Sequence, residues 1–217
     1  MPRLLLIALV LGGALIFITK VIFEFWGGIS GTRSAVFRDI SLLRGLISSY
    51  ALEPWNHNEI DLISRRAEVN SKKELTSDTK YGVYYSIYEE PVLAFAMRTY
   101  QHSEKKLIVF RYNNDAYTMI KQRDKVTVRK GKTEIGVITL DKGIQLAIKE
   151  DNVFIDSRST AGLLPVELNG DYSMSVIAHQ EGDLDQYRVL KKVDPHKEDE
   201  GELLLMAVAY ALIDEHI

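Results

Sequence analysis

The sequence predicts a mainly β protein: an about twelve-stranded antiparallel barrel around a buried C-terminal helix, preceded by a transmembrane helix and an amphipathic connector helix. Three observations predict it. Short alternating segments recur about every 8–12 residues along the second half of the chain, with turn signals between them. Residues 203–213 (LLLMAVAYALI) are apolar on every side, framed by Glu200 and Glu202 before and by Asp214 and Glu215 after. Residues 4–19 (LLLIALVLGGALIFIT) carry no charge. The predicted organisation is an anchor over 1–26, a flexible joint and amphipathic helix over 27–56, and a β-barrel domain over 57–217.

Composition sets the bounds. A chain of 217 residues accommodates one domain of ordinary size and an appendage. At 46% hydrophobic and 26% charged residues it is globular rather than disordered. A net charge of −3 argues against nucleic acid as a partner. The absence of cysteine removes disulfides, thiol nucleophiles and thiolate metal sites.

In the anchor, the uncharged run 4–19 spans only ~24 Å as a helix. Continuing through Lys20 to Trp26 gives roughly 34 Å, enough for a ~30 Å hydrocarbon core. Lys20 then snorkels and Trp26 sits at the interface. A cleaved signal peptide is the rival. Gly12 and Ala14 offer small residues for cleavage, but the apolar run continues directly through residues 15–18. Arg3 stands alone before the span, whereas Lys20, Arg33, Arg38 and Arg44 follow it, so the positive-inside rule predicts a cytoplasmic C-terminal domain; with Lys20 inside the span the margin narrows, and an N-in anchor delivering the domain outward is the alternative.

Gly27, Gly28 and Gly31 make the joint. Val36, Phe37, Ile40, Leu43, Leu46, Ile47 and Tyr50 then recur at helical spacing and predict a helix over 33–52, stopped before Pro54. Its apolar face packs on its own domain, lies on a bilayer, or meets a protein partner; the first is favoured.

The strands follow. Residues 62–69 are an uncertain first member. Residues 81–88 alternate, with tyrosines at 81, 84, 85 and 88 that suit strand packing better than a ligand pocket. Residues 92–100 fit a helix or a strand. Strands are then expected at 107–111, 116–122, 125–129, 133–140, 144–148, 152–156, 163–168, 172–178 and 187–193. Lys130-Gly131, Asn169-Gly170 and Glu181-Gly182 are among the turns. No helix between them is long enough for parallel βαβ units.

The run 203–213 is about 16 Å long as a helix, half a bilayer. An apolar surface on all sides demands burial on all sides, so this helix is expected inside the barrel. A charge at Ala207 or Ala209 should then be ruinous.

The hairpin-rich stretch 107–148, with Lys130-Gly131-Lys132 and Glu134-Ile135-Gly136-Val137-Ile138 within it, and the ending 202–214 together resemble the tubby-like superfamily. That group includes the tubby C-terminal domain, the plant LURP-one-related proteins and the phospholipid scramblases. The resemblance covers about residues 60–217 as an overall pattern rather than a signature motif. It implies a barrel around a central helix, and association with lipid or membrane. The chain departs from the scramblases in its N-terminal anchor and in lacking their cysteine-rich stretch. Its acidic segment 194–202 also lacks the regular spacing of their calcium-binding segment.

The densest charge contrast lies at 121–132, where Lys121, Arg123, Lys125, Arg129, Lys130 and Lys132 stand against Asp124. Such a stretch suits an anionic lipid surface, each cation contributing ~1 kcal/mol. The bland alternative is a solvated hairpin whose lysines guard a sheet edge. Glu181, Asp183 and Asp185 have spacing that suits a calcium loop, but the glycine and distal glutamate of an EF-hand are missing, so a polar turn is expected and no metal. The five histidines are scattered, and no hydrolase, protease, P-loop or dinucleotide motif occurs. No catalytic residue and no cofactor are therefore expected. The expected partners are a membrane, anionic lipids, and a protein reached through the amphipathic helix. Three functions stay open: a non-catalytic anchored domain binding lipid headgroups or another membrane component, an adaptor docking a protein, and a scramblase-like lipid transporter.

Overall fold

The computed structural model describes residues 16–19, 33–55, 57–101, 103–141, 143–149, 151–156, 163–177, 189 and 198–214. A helical turn at 16–19 leaves Ile16, Phe17 and Ile18 exposed. Helix α1 is Arg33–Ile47 and a 3-10 turn, η1, is His57–Leu62. The strands are β1 (Ile63–Lys73), β2 (Ser77–Ser86), β3 (Pro91–Tyr100), β4 (Lys105–Tyr112), β5 (Asp115–Gln122), β6 (Lys125–Lys130), β7 (Thr133–Leu140), β8 (Gly143–Ile148), β9 (Asp151–Asp156), β10 (Leu163–Leu168) and β11 (Asp171–Ile177). Helix α2 is Glu198–Ile213.

The strands pair in chain order, each antiparallel to the next, as one 11-stranded sheet. Tight hairpins make this possible. At Asn169-Gly170 both residues have positive φ, 53° and 89°, the twist a two-residue turn requires between right-twisted strands. The expected barrel is not seen closed: β1 and β11 are the two ends of the sheet and do not pair with each other. The expected twelfth strand, 187–193, lies outside the described residues except for Val189. That residue is fully buried, and its N–H donates to the Ile63 carbonyl of β1 at 3.0 Å.

The sheet encloses the last helix. Leu203 to Ile213 are all buried, and Ala207, Ala209, Tyr210 and Ala211 are completely inaccessible. Around them sit alternate residues of successive strands, among them Phe95, Phe110, Met119, Val128, Ile138, Leu146, Val153 and Val166. The expectation of a buried apolar helix is met. It begins at Glu198, five residues ahead of the apolar run, because acidic residues at a helix N-terminus suit its dipole.

The residues at 92–100, open between helix and strand, form β3. Leu93, Phe95 and Met97 face the α2 cluster, while Ala94 and Ala96 face outward into a second cluster with Ile40, Leu43 and Ile47 of α1. A strand buried on both faces shows no alternation, so its sequence carries no period. The small Ala94 and Ala96 let α1 lie close. Full burial of Leu43 and near-full burial of Ile47 each stabilise by roughly 1.5–3 kcal/mol. The connector helix therefore packs on its own domain. It ends at Ile47 rather than 52, because the chain must cross the sheet rim. The Tyr50 carbonyl accepts from the Arg111 guanidinium. Trp55 then turns into the core, its N–H donating to Asn113 Oδ1 at 2.8 Å and its carbonyl accepting from Asn113 Nδ2 at 2.6 Å.

The predicted anchor falls on residues outside those described, apart from 16–19. Among the described residues no helix is long and apolar enough to cross a membrane.

The sheet has two ends. Asp39, in the first half of α1, accepts from Tyr100 Oη at 2.5 Å, beside the β3–β4 turn. Arg44, in the second half, reaches the Gly131 carbonyl in the β6–β7 turn at 3.4 Å. Helix α1 thus starts at the end carrying the β1–β2, β3–β4, β5–β6 and β7–β8 turns, the proximal end. It runs toward the distal end, with the β2–β3, β4–β5, β6–β7 and β8–β9 turns.

Candidate functional site

The basic stretch 121–132 is the tail of β5, the Arg123-Asp124 turn, β6, and the Gly131-Lys132 turn. Strand alternation divides it. In β5, Tyr117 and Met119 face the core, and Lys121 shares their parity. In β6, Val126 and Val128 face the core, and Lys130 shares theirs. Lys125 and Arg129 have the opposite parity and point outward.

The two inward lysines hold the two ends of α2. At its C-terminal end, Asp214 has a fully buried side chain and meets Lys121 Nζ at 2.7 Å and Lys106 Nζ at 2.5 Å. Tyr210 Oη also donates to it at 2.8 Å. Burial and the adjacent Asp214 carboxylate push the Tyr210 phenol above its ordinary pKa. At the N-terminal end, Lys130 Nζ lies 3.0 Å from Glu202 and 3.0 Å from Asp115, and 5.3 Å from the Tyr117 ring centroid. Tyr117 Oη donates to the same Glu202 carboxylate, and burial together with Glu202 pushes that phenol up. Burial works against the Lys130 ammonium, but Glu202 and Asp115 outweigh it and hold its pKa above the usual lysine value. Lys121 and Lys130 are therefore engaged in locking the helix to the sheet.

The other four residues meet solvent. Arg123 is 83% exposed and lies 4.0 Å from an equally exposed Glu104, a pair worth little. Lys125 and Lys132 are exposed. Arg129 is half-buried, 3.6 Å from Glu134. Arg44 of α1 joins this outer face, donating to Thr118 Oγ1 at 3.2 Å. The four do not form one compact patch. Arg123 and Lys125 are at the proximal end, and Arg129 and Lys132 toward the distal end, with the ~20 Å length of β6 between the turns.

The tyrosine cluster does not line a common pocket. Tyr84 donates to the Leu212 carbonyl at 3.1 Å and packs 5.2 Å from the Phe95 ring. Tyr81 packs against the α1 cluster, Tyr85 lies under Arg66, and Tyr88 is exposed. A cleft of about 410 Å³ opens beside the start of α2, with Ile135, Ile148, Leu203 and Met206 among its walls and Lys130, Glu134 and Glu202 at its charged side. Among the described residues no group of three His, Cys, Asp or Glu side chains is placed to hold a metal. The acidic run 181–185 lies outside the described residues.

The contacts that sequence reasoning missed are Lys106, Asp115, Glu202 and Asp214. Asp214 and Glu202 flank the apolar run, which is the one signal that could have marked them. No family model, no curated protein and no solved structure matches the chain.

Proposed function

We propose that this chain is a non-catalytic, membrane-anchored β domain that binds anionic lipid headgroups through the outward-facing cations of the β5–β6 region, Arg123, Lys125, Arg129 and Lys132. One observation carries it: these four side chains stay on the outer surface while Lys121 and Lys130, from the same stretch, turn inward to Asp214 and Glu202. The apolar run 4–19, read as part of a span through Trp26, supplies the anchor. Closure of the sheet into a barrel through the segment at Val189 belongs to this reading, as does the resemblance to the tubby-like superfamily. Protein docking is a second reading, favoured by Phe37 and Leu42, which are exposed on α1 although the helix is packed.

The test must remove the anchor, so that the domain alone reports. A chain beginning at Arg33 keeps both hydrophobic clusters. It should float with phosphatidylserine vesicles and not with phosphatidylcholine vesicles. Each cation contributes ~1 kcal/mol near an anionic surface, so reversing Arg123 and Lys125 to Glu should weaken binding at least ~30-fold. Recruitment indifferent to lipid charge, or unchanged when all four are reversed, contradicts the reading.

A further inference from the structure

We infer that the domain docks end-on, with its proximal end against the anionic bilayer and the tip of the β1–β2 hairpin entering it. This rests on the anchored, lipid-binding reading above and narrows its four cations to the two at the proximal end, Arg123 and Lys125.

The tether comes first. With the span running to Trp26, residues 27–32 separate it from Arg33. That link covers at most about 24 Å even when extended. Helix α1 begins at the proximal end and extends roughly 22 Å toward the distal one. The proximal turns are thus within direct reach of the bilayer, and the distal turns lie about a helix length beyond.

Charge points the same way. The exposed cations at the proximal end are Arg38, Lys72, Lys73, Arg123 and Lys125, against Glu104, Asp124 and Asp141. The distal end is mainly acidic, with Glu53, Glu59, Glu89, Glu90, Glu134 and Asp151 exposed against Lys132 and Lys149. An anionic surface attracts the first and repels the second. The attraction falls off within a Debye length, about 8 Å at physiological salt. A bilayer at the proximal end therefore acts on Arg123 and Lys125 and leaves Lys132, ~20 Å away along β6, without effect.

Leu75 adds an apolar contact at the same end. It sits in the β1–β2 turn at the proximal end and is 60% exposed. The strand leading to it, from Glu68 to Lys73, is exposed along the edge of the sheet, while Ser77 and Thr79 of the returning strand are buried, so the turn itself presents the apolar side chain. An apolar tip flanked by Lys72 and Lys73 suits the boundary between headgroups and acyl chains.

The chain has no cysteine, so single cysteines can be introduced and labelled without background. Leu75→Cys and Ser103→Cys report the proximal end; Asn114→Cys and Thr133→Cys report the distal end. The full-length protein is reconstituted in nanodiscs with and without phosphatidylserine. Each site carries an environment-sensitive fluorophore, and a nitroxide lipid acts as quencher. Quenching at 75 and 103 should exceed that at 114 and 133 severalfold and should rise with phosphatidylserine. Quenching that rises equally or more at 114 and 133 overturns the end-on orientation and leaves the lipid reading standing. Quenching independent of phosphatidylserine at all four sites overturns both.

Discussion

Ala209→Asp should leave no folded protein. Ala209 is completely inaccessible, and its surroundings in the α2 cluster are apolar. A carboxylate there has no partner, and an unpaired buried ion costs several kcal/mol even after relaxation. The added side chain also overpacks a site that holds a methyl group, at about 1–3 kcal/mol more. Against a total stability of roughly 5–15 kcal/mol, the sum removes most or all of the folded state. Ala209→Ser separates the two effects, because it adds little volume and can bond to the preceding helical turn. It should fold and melt at a modestly lower temperature. Circular dichroism melts of both variants check this. A cooperative, near-native melt for Ala209→Asp would mean that position 209 meets solvent.

Asp214→Asn should be the most damaging polar substitution. It removes the negative charge that Lys106 and Lys121 share and leaves two partly buried ammonium groups facing each other. Breaking a buried pair from one side costs about 3–5 kcal/mol. The low end applies, because Lys121 and Lys106 keep 17% and 29% of their side-chain exposure and can turn toward water. For a domain of this size, about 3 kcal/mol lowers the melting temperature by roughly 6–12 °C. Lys121→Met in the Asp214→Asn background should recover part of the loss, since the ammonium no longer lacks its partner. Additive effects of the two substitutions would show that Lys121 and Asp214 are not coupled.

The same residues show what a sequence discloses. Most strands were legible because one face is buried and the other is not, as in Val126 and Val128 of β6. The helix at 203–213 was legible because nothing but burial accommodates eleven apolar residues of that length. β3 was ambiguous for the converse reason, burial on both faces. The first half of β2, Ser77 to Lys80, was missed because its polar residues give no hydrophobic period; Ser77 and Thr79 are nevertheless buried between neighbouring strands.

The basic stretch was only half legible. Its charge was plain, but counting charges treated six residues as one patch. Parity already separated them, since Lys121 follows Met119 by two positions and Lys130 follows Val128 by two. What parity cannot supply is the partner. Asp214 lies 93 residues from Lys121 and Glu202 lies 72 from Lys130, so only the fold brings each pair together.

Helix α2 is the core of the β domain, held at both ends by lysines of adjacent strands. Hydrogen exchange of the full-length protein across a urea series tests it most directly. Amides of 203–213 should exchange among the slowest in the chain and lose protection together with those of β4 and β5 in one global transition. Protection of 203–213 that persists after β4 and β5 have exchanged, or exchange as fast as that of the hairpin turns, would contradict it.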